Sequence, residues 1–599
     1  MRNRINATLA IALIGVLGLS MFIMAAADTR VADAAMNNDI EAVRSLLKQA
    51  ADANSSQGDG MTALHWAATH GNAEMAQLLI YAGATVKSAT RIAGFTPLYL
   101  AAQYGNAKVV DVLLRAGADA KTATLAGITP LMMAASSGDA DTIKALLEQG
   151  AEVDAKDPTS GQTALIFAAA FDRAEAIRIL ARYGAKLDHK SNLITRVYSN
   201  LGDRNAAPPP PAPAAPAAGA AAGAPVGPRG QGGRGAAAAT PPVPVPVPGI
   251  APPPPVQPVP QQGMGGRGAA PRDPTRAGGN PKGQLTPLMY AARQGNLAAT
   301  TALIESGAKL NEVSADGSTA VLLAAINGNF DTVKLLAERG ADVNIPSMDG
   351  TGPLYAVLNM QWARKTLHPQ PTTKYEKTHY LDLAKLLLDK GSDPNARLKK
   401  DLWYDGFGFG LDGTNAAGAT PFWRCADAGD VDGMRLLLSR GASATIGNVD
   451  NVTPLLVASG AGFHGNDDIV TPMGRMAAVR YLVDELHADV NVVDGRPDPA
   501  ATEVPAALPA AGQQPVVPPM NFGRTGGGYT ALHNAAARGD NEMILFLISR
   551  GAKIDAVSKN GNTVADMANG PRQRVQPRPE TIALLEALGA KNSYKCVSC

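Results

Sequence analysis

A six-residue pattern recurs along the chain at a nearly fixed step, and this constrains the fold more than any other feature. It appears as Gly60-Met-Thr-Ala-Leu-His65, Gly94-Phe-Thr-Pro-Leu-Tyr99, Gly127-Ile-Thr-Pro-Leu-Met132 and Gly161-Gln-Thr-Ala-Leu-Ile166. The threonines Thr62, Thr96, Thr129 and Thr163 stand 34, 33 and 34 residues apart. The pattern resumes at Thr286 and Thr319 and continues at Thr420, Thr453, Thr530 and Thr563, with Gly352 in the equivalent place of Gly352-Pro-Leu-Tyr355. Self-similarity at such a period means stacked copies of one small unit, none of which can bury its apolar face alone.

A second motif closes most units, as in Gly150-Ala-Glu-Val-Asp154, Gly307-Ala-Lys-Leu-Asn311, Gly340-Ala-Asp-Val-Asn344 and Gly551-Ala-Lys-Ile-Asp555. Between the two motifs lie an Ala-Ala pair, a Gly-Asn or Gly-Asp turn and a Leu-Leu pair. Each piece has a mechanical reading. The threonine hydroxyl caps a first helix. Pro97, Pro130, Pro287, Pro421 and Pro454 sit in its first turn, where a missing N–H costs nothing. The alanines let this helix approach its neighbours closely, and the leucines give a second helix its apolar stripe. The closing glycine suits a left-handed residue past the helix end.

These motifs resemble the ankyrin repeat, with its 33-residue period and Thr-Pro-Leu-His signature. About 12 units are expected between Asp28 and Lys591, giving an all-α solenoid of helix-turn-helix units with hairpin-like connections. The departure from the signature is mild: the histidine survives only as His65 and His533. The resemblance implies that these rings hydrogen-bond within and between units. It also implies a non-catalytic scaffold that binds another protein along a concave face and at the loop tips. The first unit lacks the Thr-Pro start and the last carries Thr563-Val-Ala-Asp566, so both read as caps.

Composition agrees with packing of small residues: aromatics are only 5% of the chain. With 54 basic against 52 acidic residues, nothing points to nucleic acid as a partner. Arg2 and Arg4, an apolar run from Ala7 to Met24, and Ala25-Ala26-Ala27 read as a secretory signal over residues 1–27. Export to a periplasmic or extracellular space is therefore expected, the alternative being an uncleaved anchor and the only membrane link. Three cysteines in 599 residues exclude a disulfide framework. A monomer is expected.

The array is interrupted. Repeats one to five fall in residues 28–203, and a Pro/Ala/Gly-rich linker, expected to be disordered, in 204–283. Repeats six to ten fall in 284–493 with insertions at 361–380 and 397–418, and a second Pro-rich insertion in 494–527. Repeats eleven and twelve fall in 528–594, and a Cys-x-x-Cys tail in 595–599. On this reading the linker is a tether that lets two segments engage separate sites. Nine of the chain's 28 aromatic residues fall in 361–423. Trp362, Trp403, Tyr404, Phe407 and Phe409 are the candidate partner-binding residues, because rings on a rigid scaffold anchor interfaces. Rings packed on one another as a local core, or a small-ligand pocket, are the competing readings.

No catalytic constellation is evident: there is no Gly-x-Ser-x-Gly, phosphate loop or His-Glu-x-x-His. No catalytic residue, metal ligand or cofactor is expected. His368, His379 and His464 reach one metal only if their loops converge. Asp119, Asp154, Asp342 and Asp393 recur at the closing motif, which says structure. Cys425 replaces an alanine of an inner helix and reads as a buried small hydrophobe. Cys596 and Cys599 read as a redox or disulfide pair, with zinc or, given a following histidine, c-type haem as alternatives. An electron-transfer accessory built on that pair is the rival to the scaffold.

Overall fold

The computed structural model describes residues 28–194, 281–363, 371, 373–400, 402, 416–461, 472–495, 527–570 and 576–593. Within them the chain forms twelve helix pairs, from Arg30–Met36 with Ile40–Lys48 to Val564–Ala568 with Pro579–Ala587. Inner helices pack on inner helices and outer helices on outer ones, and the buried residues form one continuous core. It is built from the alanine pairs, among them Ala67, Ala68, Ala101 and Ala102, and from the outer-helix stripe, as in Val109, Val110 and Leu113. Eight of the inner helices start at an extended threonine whose hydroxyl accepts the amide three residues on, as Thr96 does from Tyr99 and Thr420 from Trp423.

His65 carries out the role that the resemblance implies. The Thr62 amide donates to its Nδ1 at 3.1 Å, which leaves the proton on Nε2, and Nε2 donates to the Phe95 carbonyl of the next unit at 3.0 Å. Burial holds this imidazole's pKa down at about 4, against the opposing pull of the Phe95 hydrogen bond, so the ring is neutral. His533 repeats the geometry with Thr530 and Asn562.

Three kinds of hydrogen bond recur between successive repeats. At the closing loops, Asn54, Asn344, Asn395 and Asn491 each donate to the glycine carbonyl of the following closing motif, that of Gly83, Gly391, Gly441 and Gly551. At the inner-helix ends, the Asn106 amide donates to Ala68 and Thr69, Asn296 to Ala169 and Ala170, and Asn329 to Ala292 and Arg293. At the loop tips, one residue's N–H donates back to the previous tip and another's carbonyl accepts from the next. Arg91 donates to Asp59 at 2.8 Å and Ala93 accepts from Leu125 at 3.1 Å.

The third kind explains how the insertions are accommodated. Those that follow Ile194, Lys400 and Gly495 each enter a tip between the donor and the acceptor. Asn192 donates to Ser160, whereas the acceptor for Ala315 is Gly283. Lys399 donates to Asp349, and Ala417 accepts from Val449; Gly495 donates to Asp450, and Gly527 accepts from Lys559. The ends of the first insertion pair as two-residue antiparallel strands, Leu193–Ile194 with Lys282–Gly283. Gly283 has φ +98°, and a Cβ there would collide with the Asn192 carbonyl, so only glycine closes this root.

One expectation is therefore corrected. The two segments flanking the linker are not free to engage separate sites, because repeats five and six stack as direct neighbours. Asn296 caps the end of repeat five's inner helix, and the Asp172 carboxylate accepts from the Ala299 amide at 2.7 Å. Arg178–Glu305 and Lys309–Asp188 ion pairs, each 3.2 Å, join their outer faces. The proline-rich composition was legible, but the return of the chain to its own root was not. The repeat architecture resumes at Lys282, inside the stretch assigned to the linker. Among the described residues, no helix is long and apolar enough to cross a membrane.

Candidate interaction surface

The loop tips form one edge along the array, and apolar side chains stand out from it. Ile92 is 81% exposed and Leu125 77%, and Leu193, Ile194, Met348 and Val449 follow on later tips. Arg91, Lys399, Lys400 and Lys559 are exposed among them. All three of the longer interruptions root on this same edge, after Ile194, Lys399 and Gly495. The tips themselves are stiff. Buried Asp316 and Asp349 accept hydroxyl hydrogen bonds from Ser314 and Ser347, and Asp494 accepts from the Tyr529 amide at 2.8 Å.

At repeats eight and nine, part of the aromatic cluster turns inward. Asp430 caps the outer helix Val431–Leu438 by accepting from the Gly433 amide at 2.9 Å. The same carboxylate accepts from Trp362 Nε1 at 3.0 Å and from the Tyr380 hydroxyl at 3.0 Å. These two residues bracket the inter-helix insertion of repeat eight, so one carboxylate of repeat nine clamps both of its ends. Their rings meet edge to face at 5.9 Å. Arg424, buried, donates to Asn359 Oδ1 at 2.7 Å and to the Trp362 carbonyl at 2.6 Å. Burial, with Asp430 nearby, pushes the Tyr380 phenol and the wholly buried Cys425 thiol far above their ordinary pKa values. Cys425 is the small buried hydrophobe expected.

The far part of the same insertion reaches back over repeat seven. Glu376 accepts from the Asp331 amide at 2.7 Å, and Asp331 accepts from the Thr378 amide at 2.9 Å and from the Lys377 amide at 3.2 Å. Burial works to raise the Asp331 pKa, but these hydrogen bonds outweigh it and the value falls. His379 lines an open cavity of about 370 Å³ beside them, with Lys334, Leu335 and Asp382.

Of the candidate binding residues, Trp362 is half-buried with its indole N–H engaged, whereas Trp403, Tyr404, Phe407 and Phe409 lie outside the described residues. Cys596, Cys599, His368, His464 and the leader of residues 1–27 also lie outside them. Phe422 and Trp423, counted in the aromatic cluster, are core residues. Among the described residues, no group of three or more His, Cys, Asp or Glu is placed to hold a metal ion. The closing-motif acids are structural as read: Asp119, Asp342 and Asp393 accept amides of their own loops and Asp154 accepts the Lys186 amide.

The organising carboxylates Asp331 and Asp430 are not singled out by the sequence, which marks Asp566 only as part of a cap. Asp566 holds the place of the signature histidine in the last repeat. It accepts from the Thr563 amide at 2.9 Å, as His65 does from Thr62, but its other contacts are the Ser593 amide at 2.9 Å and hydroxyl at 2.6 Å. Burial would raise its pKa, yet these donors hold it below the usual carboxylate value. The chain's own tail thus occupies the place of a further repeat. The signal was available, since an acid stands where the motif has histidine.

A family model for ankyrin repeats, in three copies, matches residues 31–124, 117–191 and 272–347, and a single-repeat model matches 527–559. No curated protein matches the chain. Residues 348–526 lie outside these matched spans, yet their helix pairs continue the same stack and the same ladders. The chain is an ankyrin-repeat protein, and its repeats make it a scaffold for protein–protein interaction.

Proposed function

We propose that this scaffold is exported, is non-catalytic, and holds a protein partner through its loop edge. The observation that carries this is the alignment of exposed Ile92, Leu125, Met348 and Val449 on tips locked by backbone ladders. Apolar side chains held rigid in water cost little further ordering on binding, which favours their use as anchors. The aromatic residues Trp403, Tyr404, Phe407 and Phe409 follow Leu402 in the sequence and remain candidates for contact with the same partner. Export rests on the leader sequence alone, and the partner is correspondingly sought in the cell envelope.

The test is affinity capture from envelope extract with the full chain, with Ile92→Ser/Leu125→Ser, and with residues 401–415 replaced by a Gly-Ser loop. Loss of one reproducible partner with unchanged helical circular dichroism supports the edge as the binding site. Retention of every partner by both variants overturns it. Mass determination of the exported protein reads the leader: a chain beginning at Asp28 is expected, and a full-length membrane-bound chain contradicts the cleaved form.

A further inference from the structure

The cavity beside His379 lies on the outer helices of repeats six to eight, away from the loop edge. Its floor is the outer helix of repeat seven, Phe330–Glu338, which presents Asp331, Lys334, Leu335 and Glu338 on one face at steps of three and four. One wall is the end of the repeat-eight insertion and the start of the outer helix Tyr380–Asp389, with Lys377, His379 and Asp382. Leu297, the first residue of repeat six's outer helix and 40% exposed, completes the lining. Regular repeats have no counterpart of the insertion wall, so the shape belongs to this place in the array.

The insertion wall is pinned. The Asp331 carboxylate accepts the Lys377 and Thr378 amides and, at 2.6 Å, the Thr378 hydroxyl, and Glu376 accepts the Asp331 amide. Asp331 is thereby committed to structure. The other charged side chains are not. Among the described residues, no hydrogen bond or ion pair engages the side chains of Lys334, Glu338, Lys377, His379 or Asp382. At the next junction the outer faces do close such charges on each other, as Arg440 of repeat nine pairs with Asp389 of repeat eight. Repeats seven and eight each bring one ammonium and one carboxylate to the cavity and pair neither.

Charge balance selects the occupant. A purely anionic ligand would serve Lys334 and Lys377 but set a like charge beside Glu338 and Asp382, and a cation would do the reverse. A neutral apolar molecule would desolvate all four without a partner. A small ligand carrying both signs serves both sets. Leu297 and half-buried Leu335 leave room for an aliphatic group beside them, and about 370 Å³ suits a small molecule. We propose that this cavity binds a free aliphatic α-amino acid. Its carboxylate faces the Lys334 and Lys377 ammonium groups, its ammonium faces Glu338 and Asp382, and its side chain rests on Leu297 and Leu335. This goes beyond the scaffold reading and does not depend on the loop edge.

The experiment is titration calorimetry of the full chain with L-leucine, and with N-acetyl-leucine and leucinamide, each of which lacks one of the two charges. Leucine is expected to bind one per chain, and both blocked analogues at least about tenfold more weakly. The affinity should fall as salt rises, because the groups are exposed to screening. Lys334→Gln/Lys377→Gln and Glu338→Gln/Asp382→Asn alter exposed side chains and leave the pinning of Asp331 in place. Each pair should weaken leucine binding by at least about tenfold with unchanged circular dichroism. Ile92→Ser/Leu125→Ser should bind leucine as the unaltered chain does.

No heat of binding with leucine up to about 10 mM overturns the proposal. So does equal affinity for either blocked analogue, or binding that both charge-pair variants retain. The envelope-capture experiment reads the loop edge separately, so either conclusion can fall without the other.

Discussion

The junction between repeats two and three and that between repeats five and six differ greatly in the chain that connects them, and hardly at all in how they are joined. At the first, the tip donor Arg91 and the acceptor Ala93 stand two residues apart. At the second, Asn192 and Gly283 share those duties across the whole linker. Both junctions keep an inner-helix cap: Asn106 donates to Ala68 across the junction of repeats two and three, and Asn296 donates to Ala169 across that of five and six. The interrupted junction also carries more charge, although single pairs cross two uninterrupted junctions, Arg44–Glu74 between repeats one and two and Arg435–Glu485 between nine and ten. Arg178–Glu305, Lys309–Asp188 and Lys190–Glu312 bridge the junction of five and six, and Arg480–Glu542 and Arg550–Asp484 bridge the other long interruption between repeats ten and eleven. Among the described residues, no ion pair crosses from repeat two to three, three to four or four to five. An inserted loop costs closure entropy that rises only slowly with length, and a few exposed pairs worth roughly 0–1 kcal/mol each offset it in part.

The sharpest way to break the comparison is at repeats eight and nine, where side chains replace part of the regular ladder. Asp430→Ala removes the acceptor of Trp362, Tyr380 and the Gly433 amide together. A loss of about 3 kcal/mol is expected in chemical denaturation, because buried donors left without partners carry their full desolvation penalty. A loss below ~1 kcal/mol would show that the clamp is incidental.

His65→Ala should cost about 2 kcal/mol by removing a cap and an inter-repeat bond at once. His65 also fixes a pH dependence. Its folded pKa, about 4, lies below that of the unfolded chain, about 6.5. Stability from this group is complete above the unfolded value and is lost as pH falls towards 4. The variant should show a flatter stability profile between about pH 6.5 and pH 4; an identical slope would contradict the assignment.

Asn296→Ala and Asn106→Ala test whether an interrupted junction is an ordinary one. Each removes two hydrogen bonds to helix-end carbonyls, and equal losses of about 1–2 kcal/mol are expected. A much larger loss for Asn296→Ala would mean that the linker leaves its junction marginal. The smallest effect belongs to the added charge: Arg178→Ala should cost about 0.5 kcal/mol at low salt and nothing measurable at high salt, because the pair is largely exposed.

The repeat count, the capping threonines, the turn glycines and the bridging histidines were legible because each recurs, and recurrence separates a signal from composition. The histidine role could be read from the resemblance before any geometry was known. Asp430 and Asp331 were not legible, since each acts once and its partners lie in another repeat. The aromatic excess in residues 361–423 mixed two populations that the sequence does not separate. Phe422 and Trp423 fill the core, and Trp362 with Tyr380 closes an insertion. The linker misled for a related reason: its composition describes what lies between the roots and says nothing about where the roots meet.

That meeting of roots has a further consequence. Leu193–Ile194 and Lys282–Gly283 are held to each other and to their neighbours, so the described contacts of repeats five and six join them without the covalent path between. The array is sealed there by non-covalent surface. A protease nick within residues 195–280 would leave two fragments able to stay associated. In evolutionary terms the junction is a docking port: passenger sequence can lengthen, shorten or be exchanged at that place without any residue of the core having to change.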